Sequence, residues 1–471
     1  FGSRPILRFA CSRTAKMFLR RLRISLLAML LRNGTAAFTV PTYTVDLHSP
    51  STTRWRAVLE DFIDRNGISA FEETYSGWHQ ELGVIFPEVF SPDLAEASAS
   101  RLLFALQKGH PDLASELQTL SDVLSRRKAT KLFQLPFLAA ATASYVISVT
   151  AAKNTTDDGP HTISACTSTL VSTADGRVLH GRSLDYEPRD AMAVTTAVIN
   201  FTHGSSASSG YTCLHPLVYP TALQWFTCLR PGSFSLSVNA RGQGKWNEHN
   251  TSFEELLNRL ENSSLRLLGE VAQDAMKSQT YSNALATLAS APVVSSNYYI
   301  LAGVGQDEGA IVTRFGNNSA VSDVWPLGGR LADGQPPWMR VQTNVDHWVS
   351  YGTGAYATHR RQHAVNLLDG IGKDRIDERH LWNMYQTQSA LDQSSTHRVS
   401  PEDTGAILRP TTIASLIISP ANGTFTPCVW SSSPRLAPPA EPHSSTPPTP
   451  KCYEISNYPL VLQSSSVTVA I

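Results

Sequence analysis

The chain has no net charge to speak of: Lys plus Arg and Asp plus Glu are both 39 in 471 residues. No whole-chain field is available to hold a polyphosphate backbone, which excludes a dedicated nucleic-acid binder. Charged residues are few, at 17%, but 42% of the chain is hydrophobic, so global disorder is excluded as well. None of the six cysteines forms a CxxC pair, and no CGSCW block is present, which removes zinc-ribbon and papain-like readings. The longest uncharged run, 132–152, carries Pro136 and several Ser and Thr, so it reads as a buried core helix rather than a membrane span. A chain of this length can bury a large core and hold one large enzyme domain with additions.

Several features point to the secretory route. Met17 precedes Arg20, Arg21, Arg23 and the apolar run Ile24 to Leu31, and small residues at 34–37 offer a cleavage site. This outlines a signal peptide over 1–37, with the start at Met17. Seven Asn-X-Ser/Thr sequons begin at Asn33, Asn154, Asn200, Asn250, Asn262, Asn317 and Asn422, roughly twice the number chance would place in this composition. Cys11 leaves with the leader. Cys213 and Cys228 close a short loop and Cys428 and Cys452 flank a Pro-rich stretch, so two bridges would leave Cys166 as a lone thiol.

The first third reads as helical. Trp55, Val58, Leu59, Phe62 and Ile63 share one helix face ending near Asn66-Gly67, and Leu113, Leu117, Leu120, Val123 and Leu124 share another. Ser91-Pro92-Asp93 reads as the start of a helix through Leu102 to Leu106. From Cys166 onward short β-rich runs take over, at 167–173, 177–183, 233–238, 298–302, 310–315 and 411–419. The fold class is α+β with antiparallel sheets, and 431–471 reads as a Pro/Ser-rich linker and tail.

The segment CTSTLVSTADGRVLHGRSLDY, 166–186, holds the strongest turn signal in the chain, Asp175-Gly176 between two β-prone runs. With those two as the loop, Cys166 stands opposite Asp185 on one face. Arg182 then has the opposite parity, and reaches the same site only through a bulge, placed at Gly181, or past the strand end.

This segment resembles the start of the β-subunit in the acid ceramidase and N-acylethanolamine acid amidase family. Tyr43-Thr-Val-Asp-Leu, Pro231-Gly-Ser-Phe-Ser-Leu-Ser-Val-Asn239, Asn297-Tyr-Tyr-Ile-Leu-Ala-Gly, Val341-Gln-Thr-Asn344-Val-Asp-His-Trp348 and Pro427-Cys-Val-Trp430 follow the family's order. The resemblance implies an N-terminal-nucleophile hydrolase with an αββα sandwich, a helical α-subunit over 38–165 and a catalytic β-subunit over 166–430. It implies self-cleavage between Ala165 and Cys166 to give an α/β heterodimer. The new α-amine of Cys166 titrates near neutrality, so one residue supplies both nucleophile and base. Asp185 holds that amine, Arg182 favours thiolate, Asn344 donates to the oxyanion, and Arg360 matches the first of the family's paired arginines.

The implied reaction is hydrolysis of the amide of an N-acylsphingosine to a fatty acid and a sphingoid base, in a lysosomal or secreted setting. The implied partners are ceramide or another N-acyl lipid, a membrane surface met peripherally and a sphingolipid activator protein. N-acylethanolamine hydrolysis and a non-catalytic lipid-binding relative are the alternatives. No cofactor or metal is implied. Arg360 and Arg361 lie between His359 and His363, which therefore read as a solvated helix face. One departure from the family stands out: its acidic residue after Asn239 is Ala240 here.

Overall fold

The computed structural model describes residues 40–85, 87, 90–91, 93–151, 164–204, 206–219, 227–241, 252–316, 322–328, 336–349, 356–387, 407–409, 411–431 and 451–454. The leader, the sequons at Asn33, Asn154, Asn250 and Asn317, and most of the expected linker and tail lie outside the described residues. Residues 40–431 belong to one compact unit.

Strand β1 (Thr42–Asp46) leads into five helices, α1 (Arg56–Asn66), α2 (Ser69–Ile85), α3 (Ala95–Gly109), α4 (Pro111–Arg127) and α5 (Leu135–Ala151). The apolar stripe of α1 buries Val58, Leu59, Phe62 and Ile63, and the helix stops at Gly67, whose φ of 79° suits glycine. In α4 Pro111 occupies the first turn, Asp112 faces the positive helix end, and Arg126 and Arg127 face the negative one. Helix α3 begins later than Ser91-Pro92-Asp93 suggested: the Ser91 carbonyl accepts from the Leu94 and Ala95 N–H groups in a turn, and the helix starts at Ala95. Among the described residues no helix is long and apolar enough to cross a membrane.

The remainder is built on two sheets. Strands β2 (Ser164–Ser172) and β3 (Val178–Tyr186) are followed by the short helix α6 (Arg189–Val194), then β4 (Thr196–His203), β5 (Ser206–Pro216), β6 (Thr227–Arg230) and β7 (Phe234–Ala240). Helices α7 (Phe253–Glu261), α8 (Leu268–Lys277) and α9 (Tyr281–Ser290) lead to β8 (Asn297–Gly303), β9 (Gly309–Arg314), β10 (Ser322–Pro326) and β11 (Met339–Gln342). The last elements are α10 (Tyr356–Ile371), α11 (Glu378–Tyr385), β12 (Thr412–Ser419), β13 (Thr424–Ser431) and β14 (Lys451–Glu454). All six β-rich runs read from the sequence are strands. The larger sheet runs β1-β4-β5-β6-β7-β8-β9-β10 and the smaller β11-β2-β3-β12-β13-β14. One pairing departs from the expected antiparallel rule, since β1 lies parallel to β4.

Side-chain alternation turns these sheets into layers. Leu170 and Val178 point inward and pack on Tyr298, Ile300, Ile311 and Trp325 of the larger sheet. Their neighbours Val171 and Leu179 point outward onto Ala364, Leu368, Leu381 and Tyr385 of α10 and α11. On the far side, α8 and α9 cover the larger sheet, with the Tyr299 hydroxyl donating to the Leu268 carbonyl. The order is helix, sheet, sheet, helix. Cys213 and Cys228, directly opposite on β5 and β6, form a disulfide, and Cys428 is disulfide-bonded as well.

The amino-terminal helices dock where β3 and β5 end. Trp78 donates to the Glu187 carbonyl and stacks on Tyr219, while the Tyr75 hydroxyl donates to the Val218 carbonyl. Glu81 of α2 lies among these rings with Oε1 buried and without a hydrogen-bond partner, and burial pushes its carboxyl up to about 8. The native state therefore holds a proton that the unfolded chain releases near pH 4.5. This contribution is complete below the unfolded value and is lost as pH rises toward 8. Chemical denaturation of wild type and Glu81→Gln should show the wild type losing roughly 4 kcal/mol more than the variant between pH 4.5 and 8. Equal pH slopes would show that Glu81 is solvated.

Candidate active site

The hairpin that carries Cys166 has a different register from the one its Asp-Gly pair suggested. Cys166 pairs with Leu184, Ser168 with Arg182 and Ser172 with Val178, so Ala165 and not Cys166 stands opposite Asp185. The cause is the turn. Thr173 donates its N–H to the Arg177 carbonyl and Gly176 adopts a φ of 83°, a three-residue loop in place of a two-residue one. A one-residue change in loop length exchanges the faces of β3. Arg182 thus shares the inner face with Cys166, and Asp185 is on the outer face. No bulge at Gly181 is required, and none interrupts β2 and β3. Glycine is needed there because a Cβ would collide with the Tyr385 ring and the Thr169 hydroxyl.

Cys166 is fully buried and is the only free cysteine among the described residues. Its Sγ accepts from Arg182 Nη2 at 3.2 Å. The same guanidinium donates to Ser168 Oγ at 3.1 Å, to the Val238 carbonyl at 2.6 Å and to Asn239 Oδ1, while Ser168 Oγ also donates to Asn239 Oδ1 at 2.8 Å. Asn239 Nδ2 donates onward to the Gln342 carbonyl at 3.0 Å. A buried arginine is thereby held by neutral acceptors on both sheets. Next to it, His180 lies between Ser235 and Ser237, each hydroxyl 2.9 Å from a ring nitrogen. Burial, then the Arg182 charge, pushes this imidazole down to about 3. It is a neutral packing element, not a base.

The backbone N–H of Cys166 donates to Asn344 Oδ1 at 2.8 Å. Arg360 Nη2 donates to the same oxygen at 2.7 Å, and Asn344 Nδ2 donates to the Ala240 carbonyl at 2.9 Å. Asn344, just beyond β11, therefore holds the nitrogen of Cys166, and its own amide hydrogens are turned toward β7. Arg360 reaches Asp185 Oδ2 with Nη1 at 3.7 Å. Asp185 Oδ1 accepts from Thr412 Oγ1 at 2.6 Å and Ser183 Oγ at 2.9 Å. All five residues read from the sequence as catalytic, Cys166, Arg182, Asp185, Asn344 and Arg360, meet around one peptide unit. Ser168, Asn239, Thr412 and Arg409 were missed.

Two further readings change. Arg360 and Arg361 are buried, not solvated: Arg361 Nη1 donates to the Asp346 carbonyl at 2.8 Å, fixing the Asn344 loop from α10. The histidines flanking this pair, His359 and His363, are half-buried. Ala240 meets the site through its main chain. Residue 240 reaches the site through its carbonyl on Asn344 and its N–H beside the thiol, while the adjacent Arg241 is held in a fork by Asp346, at 2.7 and 2.9 Å. Of the sequons, Asn262 and Asn422 are exposed and Asn200 is half-buried in β4.

No family model matches the chain. It is 26% identical over 211 residues to the N-acylethanolamine-hydrolyzing acid amidase of Rattus norvegicus, covering 45% of this chain and 53% of the relative. Against the amidase of that name in Caenorhabditis elegans it is 27% identical over 223 residues, 47% of this chain and 57% of the relative. The acid ceramidase of Homo sapiens is 23% identical over 242 residues, 49% and 58% respectively. The chain is similar to both kinds of protein. This is the family that the Cys166 segment and the Asn344 block resembled. The chain spans between 53% and 58% of the length of these relatives. A solved structure of the Caenorhabditis elegans amidase ortholog aligns with a TM-score of 0.40 and 25% identity, over 54% of this chain and 93% of that one.

Burial raises the Cys166 thiol above its ordinary value, partly opposed by Arg182; Asp185 raises it further, and Arg360 and the Ala240 N–H lower it. The uncut site therefore holds a protonated thiol. Arg182→Met should raise the thiol further, because Arg182 is the largest lowering influence. The check is the thiolate absorbance of the variant against wild type, each corrected with Cys166→Ala. A midpoint that stays put or falls would mean that Arg182 serves packing alone.

Proposed function

We propose that this chain is an amidohydrolase of N-acyl lipids that cuts its own Ala165–Cys166 bond and uses the released Cys166 as nucleophile. The observation that carries the reading is the double hold on one residue: Asn344 on the Cys166 nitrogen and Arg182 on its sulfur, in the layer between the sheets. In the first step Sγ attacks the Ala165 carbonyl carbon, the C–N bond to Cys166 breaks, and the nitrogen takes up the thiol proton. Water then hydrolyses the thioester, leaving a carboxylate on Ala165 and a free thiol and α-amine on Cys166. The product is a helical chain over 38–165 bound to a catalytic chain over 166–430.

In turnover the α-amine accepts the thiol proton as sulfur attacks the lipid amide and returns it to the leaving amine; water then hydrolyses the acyl thioester on Cys166, releasing the fatty acid and the free thiol. Asp185, fixed by two hydroxyls and flanked by Arg360, holds the amine. Asn344 serves the tetrahedral oxyanion through Nδ2, whose hydrogens leave the Ala240 carbonyl to donate to it. The protein works in an acidic lysosomal or secreted setting, where Glu81 is neutral. It carries glycans at accessible sequons and takes its substrate from a membrane surface with or without an activator protein.

The blocks Pro231 to Asn239 and Pro427 to Trp430 favour ceramide, and the amidases among the relatives favour N-acylethanolamines. With a second long arm in the site, each buried methylene is worth about 0.8 kcal/mol, so the two substrates should separate widely in kcat/KM. Purified protein at mildly acid pH should hydrolyse lauroyl ceramide or palmitoylethanolamide, and Cys166→Ala should lose more than about 10³-fold of that rate. The ratio of the two kcat/KM values assigns the headgroup. Tight binding of both lipids with hydrolysis of neither would establish the non-catalytic alternative.

A further inference from the structure

Asp185 is wholly buried, and its two oxygens are treated differently. Oδ1 takes both hydroxyl donors, from Thr412 and Ser183, whereas Oδ2 has no hydrogen-bond partner. A buried carboxylate with one saturated and one open oxygen is oriented toward whatever the open oxygen is to receive. Two guanidinium groups stand off from Oδ2, Arg360 at 3.7 Å and Arg409 at 4.0 Å. They are close enough to favour the charge and too distant to occupy the lone pair.

Arg409 acts on the other oxygen as well. Its backbone N–H donates to Thr412 Oγ1 at 2.8 Å. That bond makes the hydroxyl oxygen an acceptor and leaves its hydrogen to point at Asp185 Oδ1. One residue just ahead of β12 thus orients Oδ1 through its main chain and faces Oδ2 with its side chain. The other groups around the carboxylate are Cys166 on β2, Ser183 on β3, Arg360 on α10 and the Tyr385 phenol on α11.

We propose that Arg409 is a positioning residue for the amide hydrolysis: with Thr412 it keeps Asp185 turned so that Oδ2 is open to the α-ammonium of Cys166. The inference rests on the amidase reading given above. Its side chain need touch neither lipid nor thiol.

Arg409→Met should lower kcat about 10- to 100-fold with KM within about threefold, as expected for a group that acts through another. The acid limb of kcat/KM should move to higher pH, because losing a cation makes both the carboxylate and the amine easier to protonate. Arg409→Lys should recover most of kcat and return the limb. Thr412→Val, which removes only the hydroxyl relay, should lower kcat in the same direction. A wild-type rate and profile in Arg409→Met would overturn the proposal. So would a fall in kcat that lysine does not restore and that leaves the acid limb in place, since that is a folding defect. A chain that hydrolyses no amide would sink the amidase reading, and the role of Arg409 is then decided by isotope-labelled aspartate carboxyls, with the Asp185 resonance identified in Asp185→Asn. That resonance should titrate at higher pH in Arg409→Met than in wild type; an unmoved resonance would overturn the proposal independently of turnover.

Discussion

The register between β2 and β3 decides which site groups face the layer between the sheets and which face outward. Pairing Cys166 with Leu184 puts Cys166, Ser168 and Arg182 into the layer between the sheets, and leaves Ser183 and Asp185 facing α10 and the start of β12. The thickness of one strand thereby separates the thiol and its guanidinium, between the sheets, from the Asp185 carboxylate on the outer face. The three-residue turn at Ala174 to Gly176 sets this arrangement, and a turn one residue shorter would scatter it.

The inner layer would be expensive to build from polar residues unless all were satisfied. A buried polar group without a partner costs about 1 to 3 kcal/mol, and a charge costs more. Arg182 offsets most of that cost through its two Nη atoms, on the Val238 carbonyl, Ser168 and Asn239, with Nε left without a partner, and His180 meets it with Ser235 and Ser237. Four inward positions of β7 and β2 are polar for this purpose. The same burial that makes these bonds worthwhile raises the Cys166 thiol, so the uncut protein keeps its nucleophile protonated while holding it beside a cation. On the cleavage proposed above, the same residue would gain an amine beside Asn344 and Asp185.

Much of this was legible in the sequence, for identifiable reasons. A solitary cysteine in a chain otherwise fit for disulfides, followed by β-rich runs around Asp-Gly, pointed to the hairpin. The Asn344 block and Arg360 followed from resemblance. What the sequence could not convey was loop length, because Thr173 and Arg177 close the turn through main-chain atoms that any residue possesses. Arg409 was hidden for a similar reason: its link to Thr412 is a backbone bond, and its proximity to Asp185 joins residues 224 positions apart, so only tertiary structure shows it. Asn239 had a signal that went unused. Ser235, Ser237 and Asn239 alternate with Phe234, Leu236 and Val238, and polar residues on one face of a strand buried on both faces mark a polar partner across the sheets.

The central claim is that the peptide before Cys166 is cut by Cys166 itself. Intact mass and amino-terminal sequencing of purified protein held at mildly acid pH test it directly. Wild type should resolve into two chains, the second beginning at Cys166, at a rate independent of protein concentration, while Cys166→Ala stays a single chain. A wild type that remains whole yet hydrolyses amides, or a Cys166→Ala chain that is cut at the same bond, would contradict the account.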